Sequence, residues 1–159
     1  WTSVHQIDGE PHAMRIAPDG RHIAVDYRHG LIELAGDRHS ILATGLPDQP
    51  FLGLSDMCYA PDGTLWFTDS GRTSLSDPRG RVYCLPPGGT LRLVLDCVPY
   101  SNGICLSPDG AWVYVAATRA NQVWRLSARL PETGQPMVGI FLQLSGGLGP
   151  DGVATQPAA

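Results

Sequence analysis

Short apolar and aromatic runs recur along the chain, each bounded by Gly, Pro, Asp or Asn. After a turn, these runs either alternate apolar and polar residues with a period of two or are rich in aromatic residues, as in RHIAVDY at residues 21–27 and TLWFTDS at residues 64–70. This period of two is typical of β-strands, and no long segment shows the 3.6-residue period of an amphipathic helix. The pattern predicts an all-β protein built from short strands.

The tripeptide Pro-Asp-Gly occurs three times, with its aspartates at Asp19, Asp62 and Asp109, which are 43 and 47 residues apart. Proline presets φ, the aspartate side chain bonds nearby backbone, and glycine accepts positive φ, so each copy predicts a tight turn. One apolar run precedes each turn and three follow it. Four strands in a repeat of 40 to 50 residues are typical of a β-propeller blade in antiparallel meander order.

The repeat predicts one propeller region over the whole chain, with three complete blades at residues 10–46, 51–98 and 99–145. Residues 1–9 are interpreted as the outer strand of a preceding blade and residues 147–159 as the start of a following one. Closed propellers have about four to eight blades. We therefore expect the missing blades to come from the rest of a longer chain or from a second copy.

Charge and composition narrow the chemistry. All 11 basic residues are arginine, which excludes lysine Schiff-base catalysis and a P-loop lysine. A net charge of −4 without a basic cluster argues against a nucleic-acid partner. No apolar run reaches the roughly 18 residues of a membrane helix, so we expect no membrane partner. The sequence has no Asn-x-Ser/Thr glycosylation site, and we expect a cytoplasmic protein.

The cysteines and most histidines carry no metal-binding spacing in the sequence. The four cysteines show no CxxC pair, and we expect buried, reduced thiols at Cys58, Cys84, Cys97 and Cys105. Four histidines lack partner spacing and are interpreted as surface residues: His5, His22, His29 and His39.

A column of polar residues lies seven positions before the turn aspartates. It contains His12, Ser55 and Asn102, and the incomplete fourth copy places Asp151 in the same column. Because the first strand of a blade is the innermost, these side chains are expected to converge at one mouth of the central channel. Carbonyl and carboxylate oxygens are the ligands that Ca²⁺ and Mg²⁺ prefer. The alternative is a channel mouth whose polar groups bind only water.

A second repeated position follows the turn aspartates by seven residues and holds Asp26 and Asp69, with Ala116 as the third equivalent. Aspartates at strand ends accept hydrogen bonds from backbone N–H groups of the adjoining loop. We interpret both as loop-bonding residues. For Asp69, a contact with substrate or metal at the rim is the alternative.

Three motifs, read in order, resemble the SMP-30/gluconolactonase/LRE family. They are DMCYAPDGTLWFTDSG at residues 56–71, SNGICLSPDGAWVYV at 101–115 and GPDG at 149–152. The order is the specific feature, with Asn-Gly in one blade and Pro-Asp-Gly opening the next. This family consists of six-bladed propellers and includes calcium-dependent lactonases and organophosphate hydrolases. The resemblance implies that the chain is roughly half of such a propeller.

The resemblance also implies a divalent metal, with Ca²⁺ expected first and Mg²⁺, Mn²⁺ or Zn²⁺ as alternatives. Asn102 and Asp151 match the family's ligands. Ser55 is expected as a third metal residue, a shorter and weaker ligand than the asparagine that the family usually has there. The family's further ligand is a glutamate from the first blade, which this alignment places before residue 1. Glu10 is interpreted as a loop residue instead.

The implied activity is hydrolysis of a small-molecule lactone or related ester. Asp151 would be the catalytic residue, and His12, Asp56 and Asp69 would contact substrate. Two alternatives stay open. Residues 9–34 also resemble strictosidine-synthase-like propellers, which need no metal, and a propeller can serve as a non-catalytic binding module for small molecules or proteins.

Overall fold

The computed structural model of the chain describes residues 5–156. The strands of the first half are β1 (Pro11–Ile16), β2 (His22–Asp26), β3 (Gly30–Ala35), β4 (Arg38–Ala43), β5 (Gly45–Leu46), β6 (Gln49–Pro50) and β7 (Leu54–Tyr59). Those of the second half are β8 (Leu65–Asp69), β9 (Gly80–Leu85), β10 (Arg92–Val98), β11 (Ser101–Leu106), β12 (Trp112–Ala117), β13 (Gln122–Ser127) and β14 (Val138–Gln143). A single-turn 3-10 helix at Thr118–Ala120 joins β12 to β13.

The strands form three four-stranded antiparallel sheets, each a meander of consecutive strands: β1–β4, β7–β10 and β11–β14. The first strands of the sheets lie together, because β7 contacts both β1 and β11. This arrangement confirms the predicted all-β class and the four-stranded blades of a partial propeller. A two-stranded hairpin, β5–β6, connects the first two sheets and was not predicted from the sequence.

The Pro-Asp-Gly turns form as the sequence predicts. Their glycines have φ of 86°, 83° and 69°, values that glycine adopts without strain. Each turn aspartate accepts a hydrogen bond from the backbone N–H two residues later, at 3.1, 2.9 and 3.0 Å for Asp19, Asp62 and Asp109. Local sequence therefore determines where the first strand of each blade ends and the second begins.

The hydrophobic core lies between the sheets in two layers. Successive residues of a strand pack into opposite layers. Val82 packs toward the third sheet, and its neighbour Tyr83 packs toward the first. Tyr83 stacks on Phe67 with ring centroids 5.5 Å apart. Burial of such side chains stabilises the fold by about 25 cal/mol per Å² of apolar surface.

The two ends of the described chain lack regular secondary structure. Residues 5–9 and 147–156 form no strand. The remaining parts of the two predicted edge segments, residues 1–4 and 157–159, lie outside the described residues. No helix within residues 5–156 is long and apolar enough to cross a membrane.

All four cysteines are free thiols, as predicted, but their burial varies. Cys84 is buried and Cys58 and Cys105 are half-buried, whereas Cys97 is exposed. The expectation of four buried thiols is therefore wrong, most clearly at Cys97. That residue lies on β10, the outermost strand of its sheet, where one face is open to solvent.

Candidate functional site

Two residues of the polar column meet directly. Ser55 on β7 and Asn102 on β11 lie on neighbouring first strands, and the Ser55 hydroxyl donates to Asn102 Oδ1 at 2.9 Å. Ser55 is only 8% exposed, whereas Asn102 is half-buried. The bond fixes the orientation of the Asn102 amide and leaves its oxygen a second lone pair.

Asp151 is brought beside this pair through the backbone. The N–H of Gly103 donates to the Asp151 carbonyl oxygen at 2.9 Å. A Cβ at Gly103 would lie 2.4 Å from that oxygen, so the Asn-Gly motif needs glycine for this close approach. The Asp151 residue itself is exposed. The structure thus places an amide, a hydroxyl and a carboxylate-bearing residue in one neighbourhood.

His12, the fourth member of the column, lies at the corresponding place on β1 and is exposed. Its ring centroid is 5.7 Å from that of Tyr27. The described contacts of His12 do not join it to the Ser55–Asn102 pair.

Asp56 links three first strands. On β7, its Oδ1 accepts from the Met57 N–H at 2.8 Å, and its Oδ2 accepts from the Ile104 N–H of β11 at 3.1 Å. Oδ1 also lies 3.5 Å from the guanidinium of Arg15 on β1. Both carboxylate oxygens of Asp56 are therefore engaged within the fold.

Asp69 is fully buried at the end of β8. Its Oδ1 accepts from the N–H groups of Leu52 and Gly53, each at 2.8 Å, and Oδ2 lies 3.5 Å from the Arg81 guanidinium. Burial raises the pKa of Asp69, although these hydrogen bonds and Arg81 act in the opposite direction. Asp69 bonds the loop that leads into β7 and presents no exposed surface to a substrate.

Asp26 has the equivalent position in the first sheet. Its Oδ1 accepts from the N–H groups of Arg28 and His29, both at 2.8 Å, and from the His29 ring at 3.0 Å. Burial by itself would raise the pKa of Asp26. The hydrogen bonds from His29 and Arg28 outweigh that effect, and the pKa lies below its usual range.

The third equivalent of these aspartates is Ala117 and not Ala116. Ladder partners define the position: Asp26 faces Pro11, Asp69 faces Leu54, and Ala117 faces Ser101. The sequence alignment was off by one residue because β12, at six residues, is one longer than β2 or β8.

We call Ser55, Asn102 and Asp151 the axial residues. The chemical type of their oxygen atoms suits a hard divalent cation. An amide oxygen, a carboxylate and a hydroxyl are oxygen ligands of the type Ca²⁺ and Mg²⁺ prefer. Within residues 5–156, however, no group of three or more His, Cys, Asp or Glu side chains is assembled around one centre. Ser55, Asn102 and Asp151 contain a single carboxylate among them.

The first sheet carries a group of three histidines that the sequence does not predict. His5, His29 and His39 stand close together, with ring centroids 5.5 Å apart for the His5–His39 pair and 6.1 Å for His29–His39. Their positions in the chain have no common spacing, so only the folded sheet and the approach of residues 5–9 reveal the group.

Known structures resemble this fold. A gluconolactonase from Xanthomonas campestris matches with a TM-score of 0.74 and 23% identity, over 89% of this chain and 51% of that chain. The calcium-binding protein regucalcin from Agrobacterium tumefaciens matches with a TM-score of 0.68 and 26% identity, over 87% and 47%. A luciferin-regenerating enzyme matches with a TM-score of 0.63 and 15% identity, over 87% and 48%.

The chain spans about half the length of these structures. Among curated proteins, no sequence matches it. The family model for the SMP-30/Gluconolactonase/LRE-like region matches residues 2–158, nearly the entire chain. Together with the four-stranded blades and the axial Asn-Gly and Pro-Asp-Gly motifs, this match shows that the chain belongs to the SMP-30/gluconolactonase/LRE-like family.

Proposed function

We propose that this chain carries part of the active site of a metal-dependent hydrolase that opens a lactone or a related ester. The observation that carries the proposal is the contact between Ser55 and Asn102, with Asp151 held alongside by Gly103. Family membership and the fold shared with a gluconolactonase and with calcium-binding regucalcin support it.

Asn102 and Asp151 would hold the cation, with Ca²⁺ expected first and Mg²⁺, Mn²⁺ or Zn²⁺ as alternatives. When bound, such a cation polarises an ester carbonyl and lowers the pKa of a bound water. The Ser55 hydroxyl holds the Asn102 amide oxygen in a fixed direction. Asp151 is solvent-accessible, so its carboxylate is able to accept the proton of the attacking water as a general base.

The other predicted substrate residues would act in different ways. His12 is exposed on β1 and would donate a hydrogen bond to substrate oxygen. Asp56 would position Arg15 and the β7–β11 pair, because its oxygens already bond to them. Asp69, being fully buried, would act on the site only through the Leu52–Gly53 loop.

Asp151→Ala tests the proposal. We expect it to abolish both Ca²⁺ binding, measured by calorimetric titration, and turnover of a panel of aldonolactones and aryl esters. Asp48→Ala, which removes an exposed carboxylate from the β5–β6 turn, is the control. Undiminished hydrolysis by Asp151→Ala would contradict the proposal. Full hydrolysis by metal-free protein would favour the strictosidine-synthase-like alternative.

A further inference from the structure

Three histidines from separate segments lie together on the first sheet. His5 precedes β1, His29 is in the β2–β3 turn and His39 is on β4. His5 Nε2 and His39 Nδ1 are 3.4 Å apart, and the His29 ring centroid is 6.1 Å from that of His39. The catalytic proposal above uses none of these residues.

The outer partners of two of the rings determine which nitrogen carries the proton. His5 Nδ1 lies 3.0 Å from the Gly36 carbonyl oxygen, which only accepts, so Nδ1 is the donor and Nε2 presents its lone pair toward His39. His29 Nδ1 lies 3.0 Å from Oδ1 of the fully buried Asp26, so its Nε2 likewise presents a lone pair. Metal-binding histidines typically donate their second ring N–H to a carbonyl or carboxylate in this manner.

The spacing of the His5–His39 pair matches tetrahedral coordination. With Zn–N bonds of about 2.0–2.1 Å, two nitrogens on one tetrahedral zinc ion lie roughly 3.4 Å apart. The observed separation of His5 Nε2 and His39 Nδ1 is 3.4 Å. Metal binding requires the proton on His39 Nδ1 to move to Nε2 of the same ring, so that Nδ1 presents its lone pair to the ion.

We propose that His5 and His39 form the core of a zinc site on the first blade and that His29 is its third ligand. The three side chains do not yet close on one centre, consistent with the absence of such a group within residues 5–156. His29 is farther from the pair, with its ring centroid 6.1 Å from that of His39 against 5.5 Å for His5 and His39, so zinc binding requires its side chain to turn toward the pair. The His29 side chain is 30% exposed, which leaves room for this movement.

This site differs in kind from the axial one. Imidazole nitrogens select Zn²⁺, Ni²⁺ or Cu²⁺, whereas the oxygens of Asn102 and Asp151 select Ca²⁺ or Mg²⁺. The histidine site therefore binds zinc whether or not the axial residues hold a cation, and the inference does not depend on the proposed hydrolase activity.

Metal titration of the full chain, freed of metal with a chelator, tests the proposal. We expect zinc chloride to bind at this site with one ion per chain by calorimetry. We also expect Co²⁺ to develop the visible absorption bands of a tetrahedral nitrogen site. His39→Gln and His5→Gln should each weaken zinc binding roughly tenfold or more and remove the Co²⁺ bands. His22→Gln, an exposed histidine of β2 whose described contacts include none of the three, should leave both unchanged.

Two further results make the test decisive. Asp151→Asn in the presence of excess Ca²⁺ should retain zinc binding, because that substitution alters only the axial site. Circular dichroism should show that the glutamine variants, made at exposed or half-exposed positions, keep the fold. The proposal would be overturned if folded His39→Gln and His5→Gln bound zinc with wild-type affinity. It would also be overturned if Asp151→Asn lost zinc binding while the two histidine variants kept it.

Discussion

Asp26 and Asp69 occupy the same place in successive sheets and are both fully buried, yet their pKa values move in opposite directions. Asp26 accepts three hydrogen bonds on one oxygen, one of them from a histidine ring, and these stabilise its anion. Asp69 has two backbone donors and a more distant Arg81, which do not offset its burial. The same residue type at the same repeat position therefore makes opposite contributions to acid stability.

Asparagine at each position should reveal this difference. Asp26 has a lowered pKa in the folded state, so its stabilisation is present above the unfolded pKa and is lost as pH falls through the folded value. The stability cost of Asp26→Asn should therefore shrink on acidification. Asp69 has a raised folded pKa, and its contribution is present below the unfolded pKa and lost as pH rises, so the cost of Asp69→Asn should grow on acidification.

Urea unfolding from about pH 7 to about pH 3 measures both costs. Asp48→Asn, at an exposed turn position, serves as the reference. Parallel pH profiles for Asp26→Asn and Asp69→Asn would contradict the assignment of opposite shifts.

Single-residue roles were predictable from the sequence where they depend on a local turn. Backbone bonding by Asp26 and Asp69 is of this kind, because an aspartate at a strand end has few other partners. The linking role of Asp56 was not predictable. It requires the Ile104 N–H of another blade to lie 3.1 Å from the carboxylate, and no local pattern encodes that distance.

At the scale of elements, β1, β7 and β11, the first strands of the three sheets, lie side by side, and side-chain hydrogen bonds connect them. The β7–β11 pair has the Ser55–Asn102 bond and the Asp56–Ile104 bond. Thr68 Oγ1 of the neighbouring strand β8 donates to the Asn102 carbonyl at 2.6 Å. These polar links lie at the end of the strands that bears the axial residues. They connect the strands that carry Ser55 and Asn102.

Asp56→Ala should destabilise the fold by about 1–3 kcal/mol, because it leaves the N–H of the buried Ile104 without its acceptor. Chemical denaturation provides the measurement, and Asp37→Ala, at an exposed turn on the first sheet, is the control. Equal midpoints for the two variants would show that Asp56 does not link the blades energetically.

Two glycines of the family motifs make a matched pair for a second test. A Cβ at Gly103 would meet the Asp151 carbonyl oxygen at 2.4 Å, whereas a Cβ at Gly152 would have no atom within 4 Å. Gly103→Ala should therefore displace Asp151 and weaken Ca²⁺ binding at least tenfold, as loss of a supporting contact does in metal sites. Gly152→Ala should keep the Ca²⁺ affinity, measured by calorimetry, within about twofold of the wild-type value. A similar loss of affinity in both variants would contradict the role of the close approach at Gly103.

At the scale of the whole molecule, both outer sheets leave apolar side chains in solvent. The first sheet exposes Met14, Ile16 and Ile41 at 51, 64 and 54%, and the last sheet exposes Ile140 and Phe141 at 60 and 54%. Phe141 packs on Tyr114 with ring centroids 4.7 Å apart, and Arg125 lies over the Trp112 ring at 4.4 Å. Apolar patches of this kind mark surfaces that other blades or another chain cover.

We therefore propose that these faces are covered in the working protein, by the rest of a longer chain or by a second copy. Isolated, this chain should self-associate, and sedimentation velocity should show species larger than the 17.0 kDa monomer. Ile16→Arg together with Phe141→Arg should shift the distribution toward monomer, because burying an arginine without a partner is costly. A stable wild-type monomer would contradict the proposal.

The sequence by itself determined the all-β class, the four-strand repeat and the column His12, Ser55, Asn102 and Asp151, because turn chemistry and the two-residue period are local properties. Tertiary structure decided which column members meet. The Ser55–Asn102 bond, the Asp151 approach at Gly103 and the convergence of His5, His29 and His39 all join residues at least 10 positions apart. Such contacts depend on how strands and sheets pack against one another, which no local spacing encodes.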